Sequence, residues 1–291
     1  MHYEGTPYHC PHWSFAPVLY ITQGCTHNRC RFCNMYRDVR FHMQPMEYIE
    51  EDLRELKHWR PELEAIQLQA ANPIAPSLAK LEPVFELIQR HYPGVKVLAP
   101  TRVSDFRNKT VDDLKRLREL GLVRLTLGIE SCDEWTLQRI DKGYHADEIL
   151  PLLGKLDAAG ILYELTFLNG VAGRSHSKEH AIHTAEVFNR AHPAGIGVAG
   201  LVLFPDIELA RDAAAGTFDP LSEKEMMEEL YLFLETLEVD ATLLTHHTVS
   251  MNLNGPFNAR TKPERLRALR DAIDNGDLER LSSIRARKQT L

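Results

Sequence analysis

Short apolar runs alternate along the chain with longer segments of helical periodicity. The apolar runs predict strands over residues 18–22, 65–69, 96–100, 123–129, 162–168 and 195–203. The periodic segments predict helices over residues 46–59, 77–91, 110–120, 177–192 and 222–238, with further helical stretches before residue 159. Six strand–helix units in series predict an α/β fold with a parallel sheet and helical crossovers.

Several of these predicted strands alternate apolar residues with polar ones. Gln67 and Gln69 alternate with apolar neighbours, and Glu164 and Thr166 do the same in a later strand. An open sheet covered by helices on both faces has continuously apolar strands instead. Buried polar groups without partners cost about 1–3 kcal/mol each. The alternation therefore predicts a curved sheet, a barrel or part of one, with its site at the C-terminal ends of the strands.

Composition and charge narrow the class of protein. The 291 residues include 34 Lys and Arg against 41 Asp and Glu, which gives a net charge of −7. This balance argues against a nucleic-acid partner. No stretch approaches the roughly 20 apolar residues of a membrane helix, so we expect no membrane association. The N-terminus lacks the basic start and apolar run of a signal peptide, so we expect a cytoplasmic protein with reduced thiols.

Three of the five cysteines lie close together, directly after the first predicted strand. Cys25, Cys30 and Cys33 have the spacing C-x4-C-x2-C, which allows three thiolates to converge on one metal centre. Soft thiolate ligands favour zinc or iron–sulfur. A structural zinc site needs a fourth ligand, and His27 lies only two residues after Cys25. A [4Fe–4S] cluster held by three cysteines would leave one iron open. Iron–sulfur, zinc and ordinary loop cysteines all remain possible at this point.

The cysteine loop resembles that of the radical S-adenosylmethionine (radical SAM) superfamily, with the aromatic Phe32 just before its last cysteine. The first gap is one residue longer than the commonest C-x3-C-x2-C spacing. Stretches at residues 3–6, 34–36, 127–131 and 245–263 are similar to a set of stand-alone, single-cluster radical SAM proteins. The resemblance implies a partial (β/α)6, TIM-like barrel over residues 17–240, after an N-terminal extension over 1–16 and before a C-terminal capping segment over 241–291.

The same resemblance implies a function. Cys25, Cys30 and Cys33 would hold a [4Fe–4S] cluster, and S-adenosylmethionine would bind its open iron. Reductive cleavage would give a 5′-deoxyadenosyl radical that abstracts hydrogen from a small-molecule or peptide substrate. The electron would come from an external donor of the flavodoxin or ferredoxin type. The alternative is a non-catalytic metal-binding protein that uses the same cysteines for structural zinc or an electron-transfer cluster.

The resemblance also implies contacts to S-adenosylmethionine. The expected contact residues are Phe32, Tyr36, Gln69, Asn72, Arg102, Glu130, Ser131, Glu164, Gly170 and Gly173. The family's Gly-Gly-Glu turn is replaced here by Gln-Ala-Ala-Asn-Pro at residues 69–73, and its Pro-Gly-Thr-Pro-Leu stretch by Pro-Asp-Ile-Glu-Leu at 205–209.

Other residues have weaker indications of a role. His246 and His247, near Asn252 and Asn254, are candidates for the substrate side. Cys132 is expected to be a small buried residue. No catalytic side chain is indicated.

Overall fold

The computed structural model describes residues 1–8, 13–247 and 251–286, with the side chains of residues 246, 247 and 286 excepted. These residues form two compact units. The first comprises residues 1–28, 35–128 and 151–163, and the second comprises residues 29–34, 129–150 and 164–291.

The first unit is built on four parallel strands. Its strands are β1 (Val18–Tyr20), β2 (Thr22–Gln23), β3 (His42–Met43), β4 (Ala65–Gln69), β5 (Lys96–Thr101) and most of β6 (Leu122–Glu130). The parallel order is β1-β4-β5-β6, and β2 pairs separately with β3 in the antiparallel sense. Its helices are α1 (Met46–Trp59), α2 (Leu78–His91), α3 (Val111–Glu119) and the larger part of the helix Ala146–Ala159.

The second unit continues the strand–helix pattern. Its helices and strands are α4 (Glu134–Arg139), the start of α5 (Ala146–Ala159), most of β7 (Leu162–Asn169), α6 (Ser177–Phe188), β8 (Gly195–Gly200), α7 (Glu208–Ala214), α8 (Glu223–Thr236), β9 (Ala241–His247), β10 (Gly255–Phe257), α9 (Lys262–Asn275) and α10 (Leu278–Ala286). Strands β7, β8 and β9 are parallel, and β10 pairs with β9 in the antiparallel sense. The predicted α/β class with mostly parallel strands is confirmed.

Capping boxes mark the starts of two helices. Helix α3 begins with a capping box in which Thr110 and Asp113 bond each other's backbone, and Ser222 with Glu225 does the same for α8. Ser77 lies at the N-cap of α2 as expected, but its side chain makes no capping hydrogen bond.

Two predicted elements end three or more residues earlier than expected. Helix α6 ends at Phe188 rather than 192, where the Asn189 amide donates to the carbonyl of Thr236 and accepts from the N–H of Glu238. Strand β8 ends at Gly200 rather than 203. Helix α7 was not predicted, because it is only seven residues long and follows a loop.

The polar alternation of the strands is retained in the structure. In β6, Leu125, Leu127 and Ile129 are fully buried, while the residues between them are half-buried. In β4, Gln67 and Gln69 are buried and form hydrogen bonds within the protein. Gln69 donates to the side chain of Gln67, which donates to two backbone carbonyls. None of the described helices is long and apolar enough to cross a membrane.

Candidate active site

The first half of the cysteine loop, residues 24–28, belongs to the first unit. Gly24 has φ +70°, and a Cβ there would lie 2.6 Å from the carbonyl oxygen of Val39. Only glycine therefore fits this close passage of two backbone segments. The Asn28 N–H points to Cys25 Sγ at 3.4 Å, and the Asn28 side chain donates to the carbonyl of Tyr36 at 2.6 Å. These contacts fold the loop back over the residues that follow it.

Asn72 fastens this half of the loop to the end of β4. Its Oδ1 accepts from the N–H of Thr26 at 3.2 Å, and its Nδ2 donates to the Thr26 hydroxyl and, at 3.0 Å, to Asp105. Asn72 is fully buried. Burial raises the pKa of Asp105, against the hydrogen bonds from the Arg102 N–H, Thr101 and Asn72. A direct cofactor contact from Asn72 stays a prediction, and the contacts observed are to the protein itself.

The turn after β4 has an alanine in a backbone conformation that glycine usually adopts. Ala70 has φ +88°, in the left-handed region that residues with a Cβ rarely adopt. The stretch 69–73, which the resemblance relates to the family's Gly-Gly-Glu turn, thus has a strained backbone, as residues at functional sites often do.

A cavity of about 520 Å³ opens beside Thr26 in the same unit. Ser77 at the start of α2, Asp105 and Lys109 contribute to its wall. Burial lowers the pKa of Lys109, whose ammonium donates to two backbone carbonyls, those of Ala75 and Asp105.

The remaining expected contacts of the first unit lie near these residues. Arg102 is buried at the end of β5, where its N–H donates to Asp105 and its Nε to the Ser104 hydroxyl at 3.4 Å. The ring of Tyr36 meets the ring of Tyr8 edge-on at 5.6 Å.

The second half of the loop, residues 29–34, belongs to the second unit and is held by apolar packing. Cys30 and Phe32 are buried in an apolar cluster, and Cys33 packs against it. The cluster also contains Ile140, Leu168, Val171, Leu201, Ile207, Leu209 and Phe218. The Cys33 N–H donates to the Cys30 carbonyl at 3.1 Å, which closes a turn between the two thiols.

Arg31, between the two thiols, is fixed through its backbone and its side chain. Its N–H donates to the carbonyl of Ile140, and its carbonyl accepts from the N–H of Leu209. Its guanidinium contacts Asp212 at 2.5 Å, and Arg139 contacts the same carboxylate at 2.8 Å.

A charged pair lies at the end of β6 in the second unit. Glu130 has φ +68°, a strained conformation for glutamate. Its carboxylate accepts from the Thr166 hydroxyl at 2.9 Å and from the ammonium of Lys142 at 3.3 Å. The Lys142 side chain is only 4% exposed, and its Nζ lies 5.3 Å from the centre of the Phe32 ring. The expected contact residues Phe32 and Glu130 are thus joined through a lysine that sequence reasoning missed.

The neighbouring Ser131 is fully buried and bonded to a histidine. Its hydroxyl lies 2.9 Å from Nδ1 of His180, whose Nε2 lies 3.2 Å from the carbonyl of Leu168. A carbonyl only accepts, so Nε2 carries the proton and Nδ1 accepts from Ser131. Burial lowers the pKa of His180 to about 4.

The expected turn after β7 is held by a buried carboxylate. Gly170 has φ +86°, and a Cβ there would lie 2.9 Å from the sulfur of Met226. Glu229 accepts from the N–H of Gly170 at 2.5 Å, from the Asn169 amide at 2.9 Å and from the Ser177 hydroxyl at 2.6 Å. Burial raises the pKa of Glu229 to about 7.

Two further expected residues belong to the second unit. Gly173, with φ +73°, ends the turn that begins at Gly170. Glu164 is buried in β7, and a Cβ at Gly195 on the neighbouring strand would approach its Cγ to 3.1 Å.

The side chains of His246 and His247, named above as candidates for the substrate side, lie outside the described part of the chain. So do the fifth cysteine, Cys10, and two basic residues near the C-terminus, Arg287 and Lys288. Asn254, which is described, accepts from the N–H of Thr245, and Asn252 accepts from the N–H of Asn254. Cys132 is fully buried as expected, and burial raises its pKa well above the usual range.

The chemistry of the three thiols fits an iron–sulfur cluster. Cys25, Cys30 and Cys33 are thiols rather than disulfides. Cluster irons take thiolate ligands, and three of them on a nine-residue stretch match that need. Within the described residues, no three His, Cys, Asp or Glu side chains are gathered closely enough to hold a metal ion. The fit therefore rests on the chemistry of the three thiols rather than on their positions. The ligands of a metal site commonly come together only when the metal binds.

Together, the mostly parallel strands, the three-thiol loop after β1 and the polar residues at strand ends are typical of an α/β enzyme fold. A model of the radical SAM superfamily matches residues 19–207. The chain belongs to the radical SAM superfamily. Its members are enzymes that use a [4Fe–4S] cluster and S-adenosylmethionine.

Solved structures of this superfamily share the fold, including its partial TIM barrel. The methyltransferase TsrM from Kitasatospora setae, with cobalamin and a [4Fe–4S] cluster bound, is 16% identical with a TM-score of 0.56; the match covers 69% of this chain and 37% of that one. Methylornithine synthase (PylB) is 17% identical with a TM-score of 0.54, over 87% and 82%. Coproporphyrinogen III oxidase (HemN) from Escherichia coli is 16% identical with a TM-score of 0.55, over 76% and 52%. The chain thus spans less than two thirds of two of these three. No curated protein matches the chain.

Proposed function

We propose that this protein is a single-cluster radical SAM enzyme that abstracts hydrogen from a small-molecule or peptide substrate. Cys25, Cys30 and Cys33 hold the [4Fe–4S] cluster, with one iron left for S-adenosylmethionine. When bound and reduced, the cluster supplies the electron that cleaves S-adenosylmethionine to methionine and a 5′-deoxyadenosyl radical. The electron comes from an external one-electron donor of the flavodoxin or ferredoxin type.

One observation carries this proposal: the second half of the cysteine loop and the polar end of β6 meet in one unit. Phe32 lies under Lys142, and Lys142 pairs with Glu130. A buried ion pair is costly unless both charges have partners. A pair that adjoins a metal loop at a strand's C-terminal end is well placed to bind the polar groups of a cofactor.

The roles of the chain's own residues follow from their chemistry. Glu130, paired with Lys142, accepts hydrogen bonds from ribose hydroxyls or the amino group. Arg102 pairs with the carboxylate of S-adenosylmethionine. The apolar cluster around Cys30 and Phe32 excludes water from that side of the loop. Exclusion of water protects a reactive radical from side reactions.

We also propose a domain arrangement and a compartment. Residues 1–16 are an N-terminal extension, 17–240 the partial barrel and 241–291 a capping segment. Arg285 of α10 supports the cap: it pairs with the buried Glu223 and donates to the carbonyl of Leu201, just past the end of β8. The thiol state of Cys25 and Cys132 suits a reducing compartment, so we propose the cytoplasm.

The test is anaerobic purification followed by metal analysis and product assay. We expect a brown protein with about four irons per chain, an EPR spectrum of the reduced cluster that changes on addition of S-adenosylmethionine, and 5′-deoxyadenosine in the presence of dithionite. A colourless, zinc-loaded protein would favour the non-catalytic alternative. A brown protein that neither binds nor cleaves S-adenosylmethionine would favour electron transfer.

A further inference from the structure

A buried polar network runs through the second unit from the end of β6 to the turn after β7. Ser131 begins it, His180 and Glu229 form its middle, and Gly170 ends it. Nε2 of His180 and Oε1 of Glu229 are 4.0 Å apart, and both side chains are completely buried. Each end of the network includes residues that the resemblance to radical SAM proteins implies as contacts to S-adenosylmethionine: Ser131 at one end, and Gly170 and Gly173 at the other.

Each member of the network holds a backbone in place. The Ser131 hydroxyl accepts from the N–H of Asp133 at 3.0 Å while donating to His180. Glu229 accepts from the N–H of Gly170, the first residue of the turn. The ring of His180 stacks on Phe167 of β7 at 4.6 Å between ring centres, which fixes its plane.

The burial of these groups is itself informative. A carboxyl with no exposed surface is expensive to retain, and apolar residues often replace such groups without loss of stability. The local shifts agree with this cost: burial raises the pKa of Glu229 to about 7 and lowers that of His180 to about 4. The other buried residues of α8 are apolar, among them Met226, Leu230 and Phe233, apart from Glu223, which pairs with Arg285. The presence of Glu229 there is best explained by the hydrogen bonds that its carboxylate accepts from Gly170, Asn169 and Ser177.

We propose that Glu229 and His180 are positioning residues that hold the Ser131 segment and the Gly170–Gly173 turn in one fixed arrangement for S-adenosylmethionine. The inference rests on the proposed function. Neither residue needs to touch the cofactor. Glu229 acts through the backbone of Gly170, and His180 acts through Ser131.

The main variant is Glu229→Met, which keeps the volume and removes the acceptor. Glu229→Gln retains an oxygen for the Gly170 N–H, and its amide can donate to Ser177, so it should rescue. Met227→Ala, a buried neighbour on α8 outside the network, is the control for general loss of packing.

The first measurement uses the protein without added cofactor. Hydrogen exchange at residues 169–173 is expected to accelerate in Glu229→Met and to remain as in the wild type in Glu229→Gln. Met227→Ala should not accelerate this segment selectively. Equal behaviour of Glu229→Met and Met227→Ala would overturn the proposal.

The second measurement is the dissociation constant for S-adenosylmethionine of the anaerobically reconstituted protein. Glu229→Met is expected to bind about tenfold more weakly, while Glu229→Gln and Met227→Ala bind as the wild type does. Combining Glu229→Met with Ser131→Ala should cost less than the two single effects together, because they act through one network.

These measurements distinguish a failure of the positioning role from a failure of the proposed function. If the wild type binds S-adenosylmethionine and Glu229→Met binds equally well, only the positioning role is wrong. If the reconstituted wild type does not bind S-adenosylmethionine, the proposed function fails and the positioning role with it.

Discussion

The two halves of the cysteine loop are held by different physical means. Residues 24–28 are held by neutral hydrogen bonds, above all those between Thr26 and Asn72. Residues 29–34 are held by apolar packing around Cys30 and Phe32 and by the ion pair between Arg31 and Asp212. A single short loop thus combines an amide-bonded half, which carries one thiol, with a packed and charged half, which carries two.

The two halves therefore differ in whether their thiols contribute to the stability of the fold as well as to metal binding. Cys30 is 8% exposed and contributes to an apolar core, whereas Cys25 is half-buried. Removal of the Cys30 thiol should lower both the bound metal and the stability of the fold. Removal of the Cys25 thiol should lower the bound metal alone. The same distinction applies to the residues that support each half.

The largest expected effect comes from removing the thiols. Cys25→Ala and Cys30→Ala should each abolish cleavage of S-adenosylmethionine and lose most of the bound iron. In metal-free protein, only Cys30→Ala should lower the free energy of unfolding, by about 1 kcal/mol, because only Cys30 fills core volume. Iron analysis and chemical denaturation measure the two effects.

Cys132→Ala is the control for a buried thiol outside the loop, and its iron content should match the wild type. Full activity of Cys30→Ala would show that the cluster ligands are misassigned. An equal loss of stability in metal-free Cys25→Ala would remove the distinction between the two halves.

The next effect concerns the amide-bonded half. Asn72→Ala removes the acceptor of the Thr26 N–H and one of the three hydrogen bonds to the buried Asp105 carboxyl, which should cost about 1–3 kcal/mol in the free energy of unfolding. Iron retention during dialysis against a chelator should fall as well. Thr26→Ser keeps the hydroxyl and is the matched control. If Asn72→Ala unfolds and retains iron as the wild type does, this half is held by other contacts.

Much of the fold follows from the sequence, because periodicity directly reports which face of an element is buried. The bounds of α1 and β4 coincide with the predicted ones, since both are set by local patterns of apolar residues. The cysteine loop is equally local: its three thiols are close in sequence. The family match over residues 19–207 confirms the superfamily that these signals indicated.

The supporting residues depend on tertiary contacts and were missed for that reason. Lys142 meets Glu130 and Phe32 from a turn with no periodic pattern of its own. Glu229 did leave a signal, a carboxylate on the apolar face of α8, which a search for polar residues on buried stripes would find.

The departure from the family pattern at residues 205–209 has a structural counterpart. Leu209 donates its N–H to the carbonyl of Arg31 in the cysteine loop. The stretch that lacks the family's turn residues therefore supports the loop in this protein, which no pattern within the stretch itself indicates.

A smaller effect is expected from the charged half. Asp212→Asn removes the counter-ion of Arg31 and Arg139 and should cost up to about 1 kcal/mol, because the pair is partly exposed. Its loss should be smaller at high salt, which already screens the pair. Denaturation at low and high ionic strength measures this, and Asn72→Ala should show no such salt dependence. An effect of Asp212→Asn that is independent of salt would contradict an ionic role.

Asp212 should also make the stability of the protein depend on pH. Burial raises the pKa of Asp212, but hydrogen bonds from Arg31 and Arg139 outweigh it, so the pKa lies below its usual value. A lowered pKa in the folded state stabilises the protein above the unfolded pKa of about 4, and this contribution is lost as the pH falls through the folded value. The difference in stability between wild type and Asp212→Asn should therefore be constant near neutrality and shrink below about pH 4.

The smallest effect should come from Asp206, which contacts the same half of the loop from the surface. The amide of Asn34 donates to both its carboxylate oxygens, at 2.9 and 2.8 Å, in an exposed position. Water replaces such bonds at little cost, so Asp206→Ala should change the free energy of unfolding by no more than about 0.5 kcal/mol and leave iron content unchanged. Asp206 and Asp212 both bind this half of the loop, and they differ in exposure and in the charge of their partner. A loss of iron in Asp206→Ala as large as in Asp212→Asn would mean that contact with the loop, rather than burial and charge, decides how its second half is held.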